Sequence, residues 1–129
     1  MSPKQPRPQA VKSYSIRLRT DGCGDVYVTI TVVDGRCFEM FVSNGKAGGC
    51  FHATGQTMAE LTSRAWRSGM DTEDAEAAFG GHACHMGPNS CMAMMAIAIK
   101  AVRMHLANDE KGDINDIVEG LLKKEVHHV

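Results

Sequence analysis

The chain has 129 residues and a formal net charge of −1, which predicts one domain without an overall basic surface. The charge balance argues against binding to a nucleic acid polymer. No stretch is apolar for long enough to span a membrane. Residues 1–12 are basic and proline-rich but have no apolar core, so we expect a disordered arm and no signal peptide. We therefore expect a cytoplasmic protein whose five cysteines are thiols.

Three segments alternate apolar and polar residues in the manner of β-strands. They cover residues 13–20, 25–33 and 36–43. The dipeptide Asp34-Gly35 separates the last two and is a strong hairpin signal. Three strands joined by tight turns predict an antiparallel meander, and its apolar face needs a cover.

Helices are predicted to supply that cover. Thr57 and Glu60 match a capping box that would start the first helix, and Gly69 is placed to end it. A short second helix is predicted from residue 71 or 72 to about residue 79.

Two more helices follow, one from the Asn89-Ser90 cap to about residue 108 and one over residues 113–125. The first part of the longer one, CMAMMAIAI, is apolar all round, which favours a central position or a subunit interface. The order of elements predicts an α+β fold, with a three- to four-stranded antiparallel sheet followed by packed helices. We divide the chain into the basic arm (1–12), an α+β domain (13–108) and a hinge with a C-terminal helix (109–129).

A glycine-rich stretch, NGKAGG, lies between the third strand and the first helix. It is neither a P-loop nor a dinucleotide fingerprint, because the spacing of its glycines and lysine differs from both. Its glycines still allow successive backbone amides to form an anion nest, to which Lys46 adds a charge. The alternative is a tight strand-to-helix crossover with a solvated lysine.

Arginines and aromatic side chains are further candidates for ligand contacts. Guanidinium groups suit phosphate oxygens, and an aromatic ring can stack on a base. The predicted ligand-binding set is Lys46, Gly48, Gly49, Phe51, Arg64, Arg67, Asn89, Ser90 and Arg103. Scattered arginines are also common as solvated surface residues. No catalytic constellation stands out, so we expect a protein that is not an enzyme.

A cluster of cysteines and a histidine offers metal ligands. Cys50, Cys84, His85 and Cys91 would supply the four nitrogen or sulfur ligands of zinc. The spacing is not a standard zinc pattern, since the chain has no C-x-x-C. Small buried core thiols are one alternative, and a reactive Cys91 thiol at a helix N-terminus is another. We expect that no cofactor is required, with zinc left open.

Several motifs together resemble the TSCPD domain. They are GDVYVTI, FVSNGKAGGC, SRAWRSGM, GGHAC and PNSC, and they extend over roughly residues 24–106. This domain occurs at the C-terminal end of adenosylcobalamin-dependent ribonucleotide reductases and as small stand-alone proteins. Stand-alone relatives tend to carry cysteines matching Cys50, Cys84 and Cys91. The motif that names the family keeps only Ser90 and Cys91 here, and the chain has no room for a reductase barrel, so reductase activity is not implied.

In outline, the chain is also similar to phage proteins that counter the Thoeris defence system. Those proteins sequester a cyclic ADP-ribose isomer without cleaving it and assemble as oligomers. The resemblance implies a non-catalytic homo-oligomeric sponge for a phosphate-bearing nucleotide, in a bacterial host cell. The alternatives are a metal-binding accessory or regulatory domain related to the reductase tail, and an enzyme acting through Cys91.

Overall fold

Three strands precede four helices in the computed structural model, which describes residues 3–20, 24–44, 50–81 and 90–126. The side chains of residues 44, 50–52, 125 and 126 lie outside this description. The elements are β1 (Lys12–Arg19), β2 (Asp25–Val33), β3 (Arg36–Asn44), α1 (Cys50–Arg67), α2 (Thr72–Gly80), α3 (Cys91–Ala107) and α4 (Ile114–Val126). The predicted α+β class is confirmed.

The strands form an antiparallel meander in the order β1-β2-β3. In the centre of the sheet Ile16 lies opposite Val28, and Val28 opposite Val42, and all three are buried. Asp34 and Gly35 both have positive φ, 54° and 73°, as a type I′ hairpin turn requires. The alternation of apolar residues therefore sets the register, because a one-residue slip would turn every buried side chain to solvent.

One irregularity interrupts the pairing of β2 with β3. Thr31 lies opposite Glu39, whereas the next residue, Val32, lies opposite Cys37. Phe38 is therefore an additional residue on β3, which is the geometry of a β-bulge. The bulge lies at the start of β3, where residues of the N-terminal arm reach the sheet.

Helix α3 lies at the centre of the fold. It packs against all three strands, α2 and α4, which is why its sequence is apolar all round. Its buried residues are Met94, Met95, Ala96, Ile97, Ala98, Ile99, Ala101, Val102 and His105. The central position predicted for this helix is confirmed, and one copy of the chain covers it. The homo-oligomer stays a prediction. The apolar sequence of α3 no longer argues for it, because contacts within one chain account for that sequence.

Helix α1 is longer than its sequence signals predict. The capping box places its start at Thr57, but the helix begins at Cys50. The Thr57 hydroxyl donates to the carbonyl oxygen of Ala53 at 2.8 Å, inside the helix, which is the usual mid-helix contact of threonine. The start predicted from Thr57 and Glu60 is therefore wrong.

The C-terminal end of α1 agrees with its prediction. The amide of Met70 donates to the carbonyl of Ala65 at 3.0 Å, and that of Gly69 to Trp66 at 3.1 Å. This pair of bonds is a Schellman motif, and Gly69 takes the positive φ (107°) that the motif demands. The Arg-Ser-Gly stretch thus fixes where α1 ends.

Helix α4 packs on α3 through Val118 and Leu121. Among the helices of the described ranges, none combines the length and apolarity needed to cross a membrane. The predicted domain limits lie near the start of β1 and the C-cap of α3 at Asn108. They stay predictions. The arm was predicted to be disordered, but in the structure Gln5 and Arg7 make hydrogen bonds with α1 and β3.

Candidate functional site

A groove of about 420 Å³ runs between β3 and α1. We call it the β3–α1 groove. Its polar or exposed lining includes Lys4, Glu39, Phe41, Gln56, Glu60, Arg64 and Arg67. The groove therefore joins residues of the arm, an edge of the sheet and the polar side of the first helix.

The groove exists because α1 lies along the edge strand of the sheet. The Ser63 hydroxyl oxygen accepts a hydrogen bond from the buried amide of Met40 at 2.7 Å. The same hydroxyl lies 3.1 Å from the Met40 carbonyl oxygen and 2.9 Å from that of Ala59, both within donating distance. A side chain of α1 thus replaces a neighbouring strand at this point and protects the edge from pairing with another chain.

Arg64 and Arg67 belong to adjacent turns of α1 and line the groove together. An Arg64 Nη donates to a carboxylate oxygen of Glu60 at 2.6 Å, and this pair is largely exposed. Arg67 is held more firmly, because its guanidinium lies 5.2 Å from the Phe38 ring centre and its Nε donates to the Gln5 carbonyl at 3.0 Å. An arginine fork has five donors, so these contacts leave both groups capable of binding an anion.

Two carboxylates balance part of this positive charge. Glu39 is buried on the groove wall and accepts from Arg7 Nε at 2.8 Å and from the Thr31 hydroxyl at 3.3 Å. Glu60 is the partner of Arg64. The described lining therefore contains three cationic side chains and two carboxylates, each of which is paired with an arginine.

The sequence analysis missed Lys4, Phe41 and Gln56. Phe41 is 51% exposed on the groove although it lies between Met40 and Val42, which are buried. A signal for it was present, because strand alternation puts residue 41 on the polar face, where a phenylalanine is unexpected. Lys4 and Gln56 had no such signal.

The other predicted ligand residues are distributed over the fold. Ser90 is the N-cap of α3, and its Oγ accepts from the Ala93 amide at 2.9 Å. Arg103 lines a different cavity of about 270 Å³. Its guanidinium donates to both carboxylate oxygens of Glu76, at 2.8 and 3.3 Å, and this raises the pKa of Arg103. Lys46, Gly48, Gly49 and Asn89 and the side chain of Phe51 lie outside the described residues.

The predicted zinc ligands fall mostly outside the described part of the chain. This applies to Cys84, His85 and the side chain of Cys50, whereas Cys91 is the partly buried first residue of α3. Within the ranges that the structure describes, no group of three or more His, Cys, Asp or Glu side chains is placed to hold a metal ion. The zinc site stays a prediction.

These features define a small α+β domain with a polar groove between its edge strand and its first helix. The chain belongs to the TSCPD domain family, whose model matches residues 1–103. The resemblance noted in the motifs is thus confirmed, with a match that includes the arm and β1, and it relates the chain to a small domain of ribonucleotide reductases. Comparison with the curated proteins and with the solved structures finds no match.

Proposed function

We propose that the chain binds a phosphate-bearing nucleotide in the β3–α1 groove and holds it without altering it. The observation that supports this most is the convergence of Arg64 and Arg67 on one cavity of about 420 Å³. That volume lies within the usual range for small-molecule sites, roughly 300–1,000 Å³. Guanidinium forks recognise phosphate oxygens through paired, charge-assisted hydrogen bonds.

The neighbouring side chains suit the remaining parts of a nucleotide. The exposed ring of Phe41 offers a stacking surface for a base. The amide of Gln56, on the helix side of the groove, offers both a donor and an acceptor to a base edge or a ribose. A bound phosphate would replace Glu60 as the partner of Arg64. The exchange costs little free energy, because an exposed ion pair such as this one is weak.

The glycine-rich loop is part of this proposal. Residues 45–49 join β3 to α1, the two elements that form the groove. We propose that Lys46 and the amides of Gly48 and Gly49 contact the phosphate. A cyclic ADP-ribose isomer is the ligand suggested by the phage sponges that the chain resembles in outline, and sequestration in a host cell is the corresponding role.

The test is a calorimetric titration of the purified protein with ADP and cyclic ADP-ribose, with adenosine as the uncharged control. We expect Arg64→Gln to weaken ADP binding by roughly 10- to 100-fold, since a charge-assisted hydrogen bond contributes about 1.5–3 kcal/mol. The matched control is Arg17→Gln, because Arg17 is exposed on β1 and does not line the groove.

Heating the loaded protein should release the nucleotide intact, as mass spectrometry would report. A wild-type protein that binds neither nucleotide, or that releases an altered product, would contradict the proposal. Equal losses in the Arg17 and Arg64 variants would show that the groove is not the site.

A further inference from the structure

The N-terminal arm is attached to one end of the groove. Residues 3–10 are exposed and belong to no helix or strand. The Gln5 amide nevertheless donates to the Arg67 carbonyl at 2.7 Å, and Arg67 Nε donates back to the Gln5 carbonyl at 3.0 Å. This reciprocal pair fixes the arm beside α1 and brings Lys4 into the lining of the groove.

Two residues further along, the arm contacts the sheet. Arg7 Nε lies 2.8 Å from a carboxylate oxygen of Glu39, whose side chain is only 8% exposed. Among the residues that the structure describes, Arg7 is the cationic partner that forms an ion pair with Glu39. A nearly buried carboxylate without a partner is unfavourable, because burial removes its hydration without compensation.

Glu39 also presents a problem for the proposed site. Its carboxylate lies on the wall of the same groove that Arg64 and Arg67 line. A phosphate group in that groove would meet a like charge in surroundings that screen it less than water does. The pairing of Arg7 with Glu39 cancels this charge, and Lys4 adds a further positive one.

We propose that the N-terminal arm completes the anion site: Arg7 neutralises Glu39, and Lys4 enlarges the positive field of the groove. This inference rests on the proposed function, since it concerns the same groove. Arg7 is then a positioning and charge-balancing residue. Without the arm, the negative charge of Glu39 would weaken the binding of a phosphate in the groove. The ligand class is unchanged, but the site extends to residues of the N-terminal arm.

The experiment is a double-mutant cycle with ADP as the probe. Arg7→Gln should weaken ADP binding about tenfold, because it removes the cationic partner of the Glu39 carboxylate on the groove wall. Glu39→Gln should bind ADP at least as tightly as the wild type, because it removes the negative charge from the groove wall. The amide oxygen of the glutamine can still accept from the Thr31 hydroxyl. The double variant Arg7→Gln/Glu39→Gln should recover nearly all of the lost affinity.

That recovery is specific to charge balance, and a purely structural role of Arg7 would not produce it. A double variant as weak as Arg7→Gln overturns the inference, and so does an Arg7→Gln variant that binds ADP like the wild type. In both cases wild-type binding still stands, so the proposed function survives. Failure of the wild type to bind ADP overturns both proposals together.

A second measurement needs no ligand. Hydrogen exchange of the Gln5 amide, followed by NMR, reports the attachment of the arm directly. We expect faster exchange in Arg7→Gln and unchanged exchange in Arg17→Gln, with the amide spectrum confirming that each variant is folded. A Gln5 amide that exchanges at the same rate in both variants would show that Arg7 does not hold the arm.

Discussion

Cys37 is a thiol that burial keeps protonated. It lies at the start of β3, opposite Val32, and is almost inaccessible. Burial raises its pKa from the ordinary 9.0 to about 11, and a hydrogen bond with Thr72 offsets part of this rise. At neutral pH Cys37 is therefore a core residue with little thiolate to react.

The raised pKa of Cys37 predicts how stability depends on pH. Because the folded pKa lies above the unfolded one, the stabilisation is fully present below pH 9 and is lost as the pH rises towards 11. We expect a loss of about 2 kcal/mol of unfolding free energy over that interval. Urea unfolding at several pH values would measure it. In Cys37→Ala this part of the slope should vanish, and parallel curves for the two proteins would contradict the assignment.

At the scale of single elements, the contact between α1 and β3 depends on one hydroxyl. Ser63→Ala removes the acceptor of the buried Met40 amide. An unsatisfied buried donor costs about 1–3 kcal/mol, so we expect a loss of that size in urea unfolding. Ser15→Ala is the matched control, because Ser15 is exposed on β1 and the bond that it accepts from Thr29 is long, at 3.4 Å. Equal losses in the two variants would mean that Ser63 does not secure the edge.

Local signals in the sequence were sufficient for most elements. The alternation of β2 predicted residues 25–33, which is the range observed, and Ser90 was predicted as a cap of α3. The start of α1 failed because its cause is not local. The helix continues through Gly55, a residue that costs about 1 kcal/mol relative to alanine in a helix, because α1 packs along β3. A capping box within residues 57–60 contains no information about that strand.

The site was predictable only in part for the same reason. Helical spacing placed Arg64 and Arg67 on one polar face, and both line the same groove. Arg103 looked equivalent in the sequence, but it is bonded to Glu76, which is 27 positions away along the chain. Lys4 reaches the groove through an arm whose proline-rich composition predicts no fixed place. Contacts between residues so far apart in the sequence can be recognised only in the three-dimensional structure.

For the molecule as a whole, the open question is whether the C-terminal helix is an independent addition. The family match ends at residue 103, so α4 lies beyond it. The link from α3 to α4 nevertheless contacts β1 of the sheet. The Glu110 carboxylate in this link accepts from the Tyr14 hydroxyl and forms an ion pair with Lys12. The hydrogen bonds from Lys12 and Tyr14 lower the pKa of Glu110. These contacts join β1 to the segment that leads into α4.

Leu121 tests whether α4 folds together with the sheet. It is 7% exposed against α3, and Leu121→Ala should cost about 2–4 kcal/mol, the usual range for a leucine truncated in a core. Leu61→Ala, at a position 61% exposed on α1, should change stability by less than about 0.5 kcal/mol. If the chain is one cooperative unit, Leu121→Ala will speed hydrogen exchange of the β2 amides by the factor that corresponds to its full loss of stability. Unchanged β2 exchange, with a separate early transition for α4, would instead make the helix an independent unit docked on a family domain that is stable without it.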